Sequence, residues 1–277
     1  MISVKGLHFN YPKKAVFKGL TLNIKPGYIY GLLGKNGTGK TTLLYSLAGL
    51  LFPEKGSVEV LGFVPAERKP TFLKDIFMVP EEFHLPEVSI QKFVKYTAPF
   101  YPWFLEDKFL EYLNEFGVPF NSNLQQLSYG QKKKVLISFG LAANTSLLLM
   151  DEPTNGLDIA GKSQLRKIIA GAFDEKKCII ISSHQVKDLE NLVDRVTIID
   201  EGDILLDESI QRIAEKLTFK ISFDASETSW AIYSEPMLRG TAVVVVNLDE
   251  EESKIDLELL YKAAMANPKL IHSIFNN

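Results

Sequence analysis

The residues Gly34-Lys35-Asn36-Gly37-Thr38-Gly39-Lys40-Thr41 match G-x-x-x-x-G-K-[ST], the pattern of a loop that grips phosphate. Glycines let the backbone curl until successive N–H groups point inward, and such donors wrap the β- and γ-phosphates of a nucleoside triphosphate. Asn36, Gly37, Thr38 and Gly39 would wall that turn, and Lys40 would add a point charge. Thr41 would offer its hydroxyl to Mg2+, with Thr42 next along the chain. A helix starting near Lys40 would aim the positive end of its dipole at the same oxygens.

Two further groups could complete a hydrolytic site. The apolar run Leu147-Leu148-Leu149-Met150 ends in Asp151-Glu152. Asp151 suits the shell of a hard cation, usually through water, and Glu152 is placed to polarise an attacking water. Alone, such a pair is ordinarily a cap or a surface charge; beside a phosphate loop the hydrolytic reading is preferred. Ile181-Ser182-Ser183-His184 sets an imidazole just past another apolar strand, where it could hydrogen-bond the γ-phosphate. His8, His84 and His272 have no metal-ligand spacing.

These residues lie far apart in the chain, so a frame has to gather them. Residues 2 to 32 alternate apolar and polar positions around Tyr11-Pro12 and Lys25-Pro26-Gly27, predicting antiparallel strands that feed a buried strand at Tyr28 to Leu33. A helix is predicted over Thr41–Leu51. Strands are predicted at Leu147 to Met150, Cys178 to Ile181 and Val196 to Ile199, with helices over Ile159–Phe173 and Gln185–Val193 between them, which is the order of a parallel α/β sheet. Ligands of such sheets sit beyond the carboxyl ends of the strands, where all three motifs fall. From about Ile90 to Ala143 the spacing is helical and aromatic-rich, predicting an inserted helical subdomain at about 84–145. After residue 212 the pattern changes again. Strands at Phe219–Phe223, Trp230–Tyr233 and Ala242–Val246, a helix over Asp256–Ala266 and a solvated acidic loop at Asp249-Glu250-Glu251-Glu252 predict a small α/β appendage over 213–277.

Composition narrows the partners. With 31 basic and 34 acidic residues the net charge is −3, giving no electrostatic reason to expect nucleic acid as a partner. The single cysteine, Cys178, reads as a small buried hydrophobe in a reducing compartment. No apolar stretch reaches the roughly 18 residues that span a bilayer, and the N-terminus lacks a signal layout, so a soluble chain is expected.

Leu127-Ser128-Tyr129-Gly130-Gln131, lying between the phosphate loop and the acidic pair, completes a resemblance to the ABC ATPases over residues 1–212. The resemblance implies an α/β fold: a P-loop NTPase (RecA-like) core with a mostly parallel sheet, an N-terminal antiparallel β subdomain and an inserted helical subdomain. It implies ATP and Mg2+ as ligands, with Lys40, Glu152 and His184 catalytic. It also implies that Ser128, Gly130 and Gln131 touch the ATP held by a second ATPase subunit, an identical chain being expected. Asp158 would cross that interface, and Tyr11 would stack on adenine. From the residues alone, Ser128 is equally a helix cap and Tyr11 a strand aromatic.

Two positions depart from the family pattern. Tyr129 stands for a glycine, and Glu81, in Met78-Val79-Pro80-Glu81-Glu82, stands for the glutamine that contacts Mg2+ and relays nucleotide state. A carboxylate at 81 can still ligate metal, but it adds a negative charge near the γ-phosphate. The implied partner is a separately encoded integral membrane permease, which would place the chain in the cytoplasm, peripheral on the inner face of the cell membrane. The Pro-Glu variant, the stretch Phe100-Tyr101-Pro102-Trp103-Phe104 and Glu201-Gly202-Asp203-Ile204-Leu205 are similar to ATPases of bacterial ABC-2-type exporters. A soluble ABC-like ATPase acting on ribosomes or DNA, and a nucleotide-binding regulator without hydrolysis, stay open as alternatives.

Overall fold

The computed structural model describes residues 1–248 and 253–276. The expected acidic loop at Asp249 to Glu252 lies outside the described residues. The chain opens with β1 (Ile2–Tyr11), β2 (Lys14–Ile24) and β3 (Tyr28–Leu33), then α1 (Lys40–Leu47), β4 (Lys55–Val60), the short α2 (Pro70–Leu73) and β5 (Ile76–Val79). The helical stretch comprises α3 (Ile90–Thr97), α4 (Glu106–Glu115) and α5 (Tyr129–Ala142). Next come β6 (Leu147–Asp151), α6 (Ile159–Ala172), β7 (Cys178–Ser183), β8 (Arg195–Asp200), β9 (Asp203–Ser209) and α7 (Ile210–Lys216). The chain closes with β10 (Leu217–Ser222), α8 (Ala225–Trp230), β11 (Tyr233–Pro236), β12 (Thr241–Val246), α9 (Leu257–Ala266) and α10 (Pro268–Asn276).

The central sheet has the order β5-β6-β7-β3-β8-β9, parallel except for the antiparallel edge strand β9. Its strands are apolar on both faces, and the period of two sends alternate residues to two different cores. Tyr30, Leu32, Leu147, Leu149, Cys178 and Ile180 face a core shared with α1 and the antiparallel sheet β2-β1-β4. Ile29, Leu33, Leu148, Met150, Ile179 and Ile181 face the core that runs into the helical subdomain and the C-terminal elements. Cys178 is fully buried, and that burial pushes its thiol up to about 12.

The helical subdomain is knit by rings. Phe139 of α5 meets Phe93, Phe104 and Phe109 at centroid separations of 5.2, 4.9 and 6.2 Å. The C-terminal segment forms a third sheet, β10-β12-β11, all antiparallel, backed by α9. It docks on the remainder through shared core residues and through Lys187–Glu258 at 3.4 Å. Helix α7 runs through residue 212, where the sequence suggests a boundary.

Local chemistry corrects three of the expected elements. Helix α1 stops at Leu47, four residues short of the expected Leu51, because Gly49 turns left-handed (φ 66°) and the amides of Gly49 and Leu50 bond back to Ser46 and Tyr45. The helix expected over Gln185–Val193 is only a 3-10 turn at Val186–Asp188; Asn191, at φ 60°, cannot continue a right-handed helix. The strand expected over Trp230–Tyr233 is instead the end of α8, capped by Asp224 accepting from Ser226, followed by β11. Helix α10, which the sequence reading does not anticipate, begins directly after α9.

Candidate functional site

Register gathers the site. In the parallel sheet Asp151 sits opposite Ser182, and Leu33 opposite Ser183. The loop after β3, the acidic pair after β6 and His184 after β7 therefore emerge on one edge. The loop needs its glycines at defined points. Gly39 lies at φ 110°, and a Cβ there would stand 2.7 Å from the Phe17 ring; a Cβ on Gly34 would stand 2.4 Å from the Ile199 carbonyl.

A cavity of about 310 Å3 opens at this edge, lined by Tyr11, Asn36, Gly37, Gly39, Lys40, Thr41, Thr42, Glu81 and Glu152 among others. Lys40 is buried, donating to the Gly34 and Lys35 carbonyls at 2.8 and 3.1 Å, with Glu152 Oε1 3.6 Å away. Thr38 turns its hydroxyl back on the Lys35 carbonyl at 3.0 Å, bracing the loop. Tyr11 stands 44% exposed at the cavity mouth, its ring edge-on to Phe9 and its hydroxyl 3.4 Å from Thr42.

Glu152 occupies a left-handed conformation, φ 45°, unusual for a side chain with a Cβ and a form of strain that clusters at functional sites. Its amide donates to Ser182 Oγ at 3.0 Å, and Ser182 in turn donates to Asp151 Oδ1 at 2.5 Å, so one hydroxyl fixes both acids. His184 Nδ1 lies 2.9 Å from Glu152 Oε2. Burial pushes the Glu152 carboxyl above the usual carboxylate range, opposed by His184 and Lys40. Burial equally lowers the Lys40 ammonium, opposed by Glu152 and Asp151.

The residues fit a magnesium ion. Asp151 is fully buried, yet its Oδ2 has no hydrogen-bond partner, an orphaned acceptor of the type a hard cation or its water satisfies. Among the described residues no group of three or more His, Cys, Asp or Glu could hold a metal by itself. Mg2+ takes few protein oxygens and shares its shell with phosphate and water.

The remaining sequence-derived residues lie outside the cavity lining. Ser128 caps α5, its hydroxyl accepting from the Gln131 amide at 3.2 Å while Gln131 Oε1 accepts from the Ser128 amide at 3.0 Å, a complete capping box. Gly130 packs so close to the loop after β6 that a Cβ would fall 2.5 Å from the Gly156 carbonyl. Asp158 caps α6 through the Gly161 amide at 2.9 Å.

Sequence reasoning misses three residues of this neighbourhood. Lys14 donates to the Gly37 carbonyl at 2.7 Å; nothing in its local pattern marks it. Asn155 donates to Glu81 Oε1 at 2.8 Å. Lys133, fully buried in α5, donates to the Pro80 and Glu81 carbonyls at 3.1 and 3.2 Å, and burial lowers its ammonium to about 8. Its placement inside Lys132-Lys133-Lys134 makes it resemble one more solvated charge.

Comparison with known proteins identifies the family. The chain is 26% identical to the ABC transporter ATP-binding protein YtrB of Bacillus subtilis, the match covering 99% of this chain and 97% of that protein. It is 33% identical to the lantibiotic transport ATP-binding protein SrtF of Streptococcus pyogenes, over 75% of this chain and 90% of the relative. Among solved structures it is similar to cbiO1 from Clostridium perfringens, described as part of the ABC transporter complex cbiONQ, with a TM-score of 0.63 and 28% identity over 76% of this chain and 89% of that one. A family model described as ABC transporter matches residues 17–155. The chain therefore belongs to the ABC transporter family, as one of its ATP-binding, ATP-hydrolysing subunits.

Proposed function

We propose that this ATPase works as a pair of identical subunits beneath a separate membrane permease, probing its own ATP with the residues of the cavity and its partner's ATP with the start of α5. The observation that carries the reading is the buried Lys40–Glu152 pair at 3.6 Å on the lining of the cavity, extended by the exposed His184, whose Nδ1 lies 2.9 Å from Glu152 Oε2.

In this reading the amides of Gly37 to Thr41 bind the β- and γ-phosphates, Tyr11 stacks on the base, and Lys40 neutralises charge on the phosphates. Thr41 and the free oxygen of Asp151 would hold magnesium, with Glu81 beside them. Bound with the nucleotide, that ion supplies neutralisation of the phosphate oxygens. Glu152 polarises the attacking water, and His184, with Nδ1 2.9 Å from the second Glu152 oxygen, stands beside both that carboxylate and the γ-phosphate. Ser128, Gly130 and Gln131 lie outside the cavity of their own chain, which supports their use against ATP bound by the second subunit. ATP then favours the closed pair because only there are its phosphates gripped from both sides, and hydrolysis removes that differential affinity.

A membrane partner is supported by the company the relatives keep, since cbiO1 is described as part of the ABC transporter complex cbiONQ. It is supported also by an apolar groove of about 620 Å3 between α1, α2 and the helical subdomain, lined by Leu50, Leu73, Met78 and Phe100. Phe100 is 72% exposed at its edge, and Tyr96 and Trp103 are exposed nearby. No helix of the described residues is long and apolar enough to cross a membrane, so residence on the cytoplasmic face would come through that partner. Export is proposed as the direction from the likeness of the Pro80-Glu81 and Phe100 to Phe104 stretches to exporter ATPases; the relatives themselves include lantibiotic and bacitracin transport proteins and a cobalt import protein. Glu152→Gln tests the core of the reading. It should bind ATP, accumulate a dimer on size-exclusion chromatography in Mg-ATP, and release phosphate at least about 100-fold more slowly. Near-normal turnover would refute it.

A further inference from the structure

The two departures from the family pattern touch each other. Tyr129 donates its hydroxyl to the Glu81 carbonyl at 2.5 Å, and its ring stacks on Phe83 with centroids 5.3 Å apart. One helical turn along, Lys133 donates to the carbonyls of both Pro80 and Glu81 and sits 5.6 Å over the same Phe83 ring. Asn155, from the loop after the acidic pair, holds the Glu81 carboxylate itself. Two segments thus converge on one residue, gripping its main chain from α5 and its side chain from the loop beside Glu152.

A fully buried ammonium is a costly choice where a methionine of similar volume would pack without desolvation. The carboxylates that act on its charge are those of Glu81, Asp151 and Glu152, at the phosphate site. A glutamine at 81 would leave two carboxylates there; glutamate makes three, facing a polyanionic nucleotide.

We infer that Lys133 and Tyr129 are positioning residues for Glu81. Tyr129 fixes the backbone from which the carboxylate projects, and Lys133 supplies the buried positive charge that lets a carboxylate stand beside Asp151 and Glu152. This rests on the proposed placement of Glu81 at the metal and γ-phosphate, and the test separates the two. The dimer-facing residues Ser128 and Gly130 flank Tyr129 and take no part in these bonds, so the device acts on the chain's own nucleotide.

The measurements are Mn2+ affinity by electron paramagnetic resonance, with a non-hydrolysable ATP analogue bound, and steady-state kcat and KM. The variants are Lys133→Gln, which keeps donors but not the charge, Lys133→Met and Tyr129→Phe, each in the natural chain and in Glu81→Gln. Both Lys133 variants should weaken Mn2+ binding by about tenfold and lower kcat, with ATP KM little changed. In Glu81→Gln the same substitutions should cost less than about twofold. Tyr129→Phe should lower kcat severalfold. Equal losses in both backgrounds would make Lys133 merely structural and overturn the inference, as would unchanged Mn2+ binding in Lys133→Met. Wild-type behaviour of Lys133→Gln would overturn the role of charge, and wild-type behaviour of Tyr129→Phe would remove Tyr129 from the set. If Glu81→Gln itself leaves Mn2+ affinity and kcat untouched, the placement of Glu81 fails instead.

Discussion

Replacing Lys133 by methionine should leave the nucleotide-free protein as stable or more stable near neutrality, and that advantage should reverse in alkali. Burial takes the Lys133 ammonium from 10.5 to about 8, a difference of about 2.5 pH units. At 1.36 kcal/mol per unit that is roughly 3 kcal/mol spent on keeping a proton inside the folded chain. Below pH 8 the lysine is charged in both folded and unfolded chains and the full penalty applies. Between 8 and 10.5 the unfolded chain still holds the proton that the folded chain has lost, so stability rises with pH; above 10.5 the lysine is neutral in both and the penalty is gone. Methionine fills similar volume but leaves the Pro80 carbonyl without its donor, which costs about 1–3 kcal/mol; the Glu81 carbonyl keeps Tyr129. The variant should thus gain about 0–2 kcal/mol at pH 7, and the difference should swing by about 3 kcal/mol toward the natural protein by pH 10.5. Urea unfolding of both proteins at pH 7, 9 and 10.5 reads this directly, because groups titrating elsewhere affect both proteins alike. Parallel stability curves across that range would refute the buried-charge account.

Three other outcomes follow from the same geometry. Because burial holds the Glu152 carboxyl above the ordinary range, the acid limb of the kcat profile should fall at a higher pH than a solvent-exposed glutamate would give; a limb at the ordinary carboxylate pKa of about 4.3 would contradict it. Lys40→Ala should lose ATP affinity before any chemistry, by about tenfold or more in calorimetric titration, and unchanged affinity would count against the phosphate-loop assignment. Phe100→Asp should leave the ATPase of the free subunit within about twofold and abolish co-purification with the membrane subunit; retained co-purification would place docking elsewhere.

The phosphate loop, the acidic pair and His184 are legible because each is a short local word and the strand periods around them fix which edge they occupy. The central sheet is legible for the same reason. What surrounds Glu81 is not, since Tyr129, Lys133 and Asn155 reach it from 48, 52 and 74 residues away. Only the phase of α5 against the sheet decides that Lys133 turns inward while Lys132 and Lys134 stay partly exposed. The helix expected after His184 is only a 3-10 turn, and the left-handed Asn191 beyond it, which composition does not announce, closes off any continuation. The strand expected at Trp230 gives way to a helix because the Asp224 cap starts one six residues earlier.

Cys178 offers a practical handle on the motions proposed above. It is the chain's sole thiol, sealed in the middle of the central sheet and protonated at any pH used for maleimide labelling. A single cysteine introduced on an exposed helix such as α4 would therefore take a fluorophore or spin label uniquely, with no need to delete the native one. Interprobe distances across the pair could then be followed through a catalytic cycle in otherwise unaltered protein.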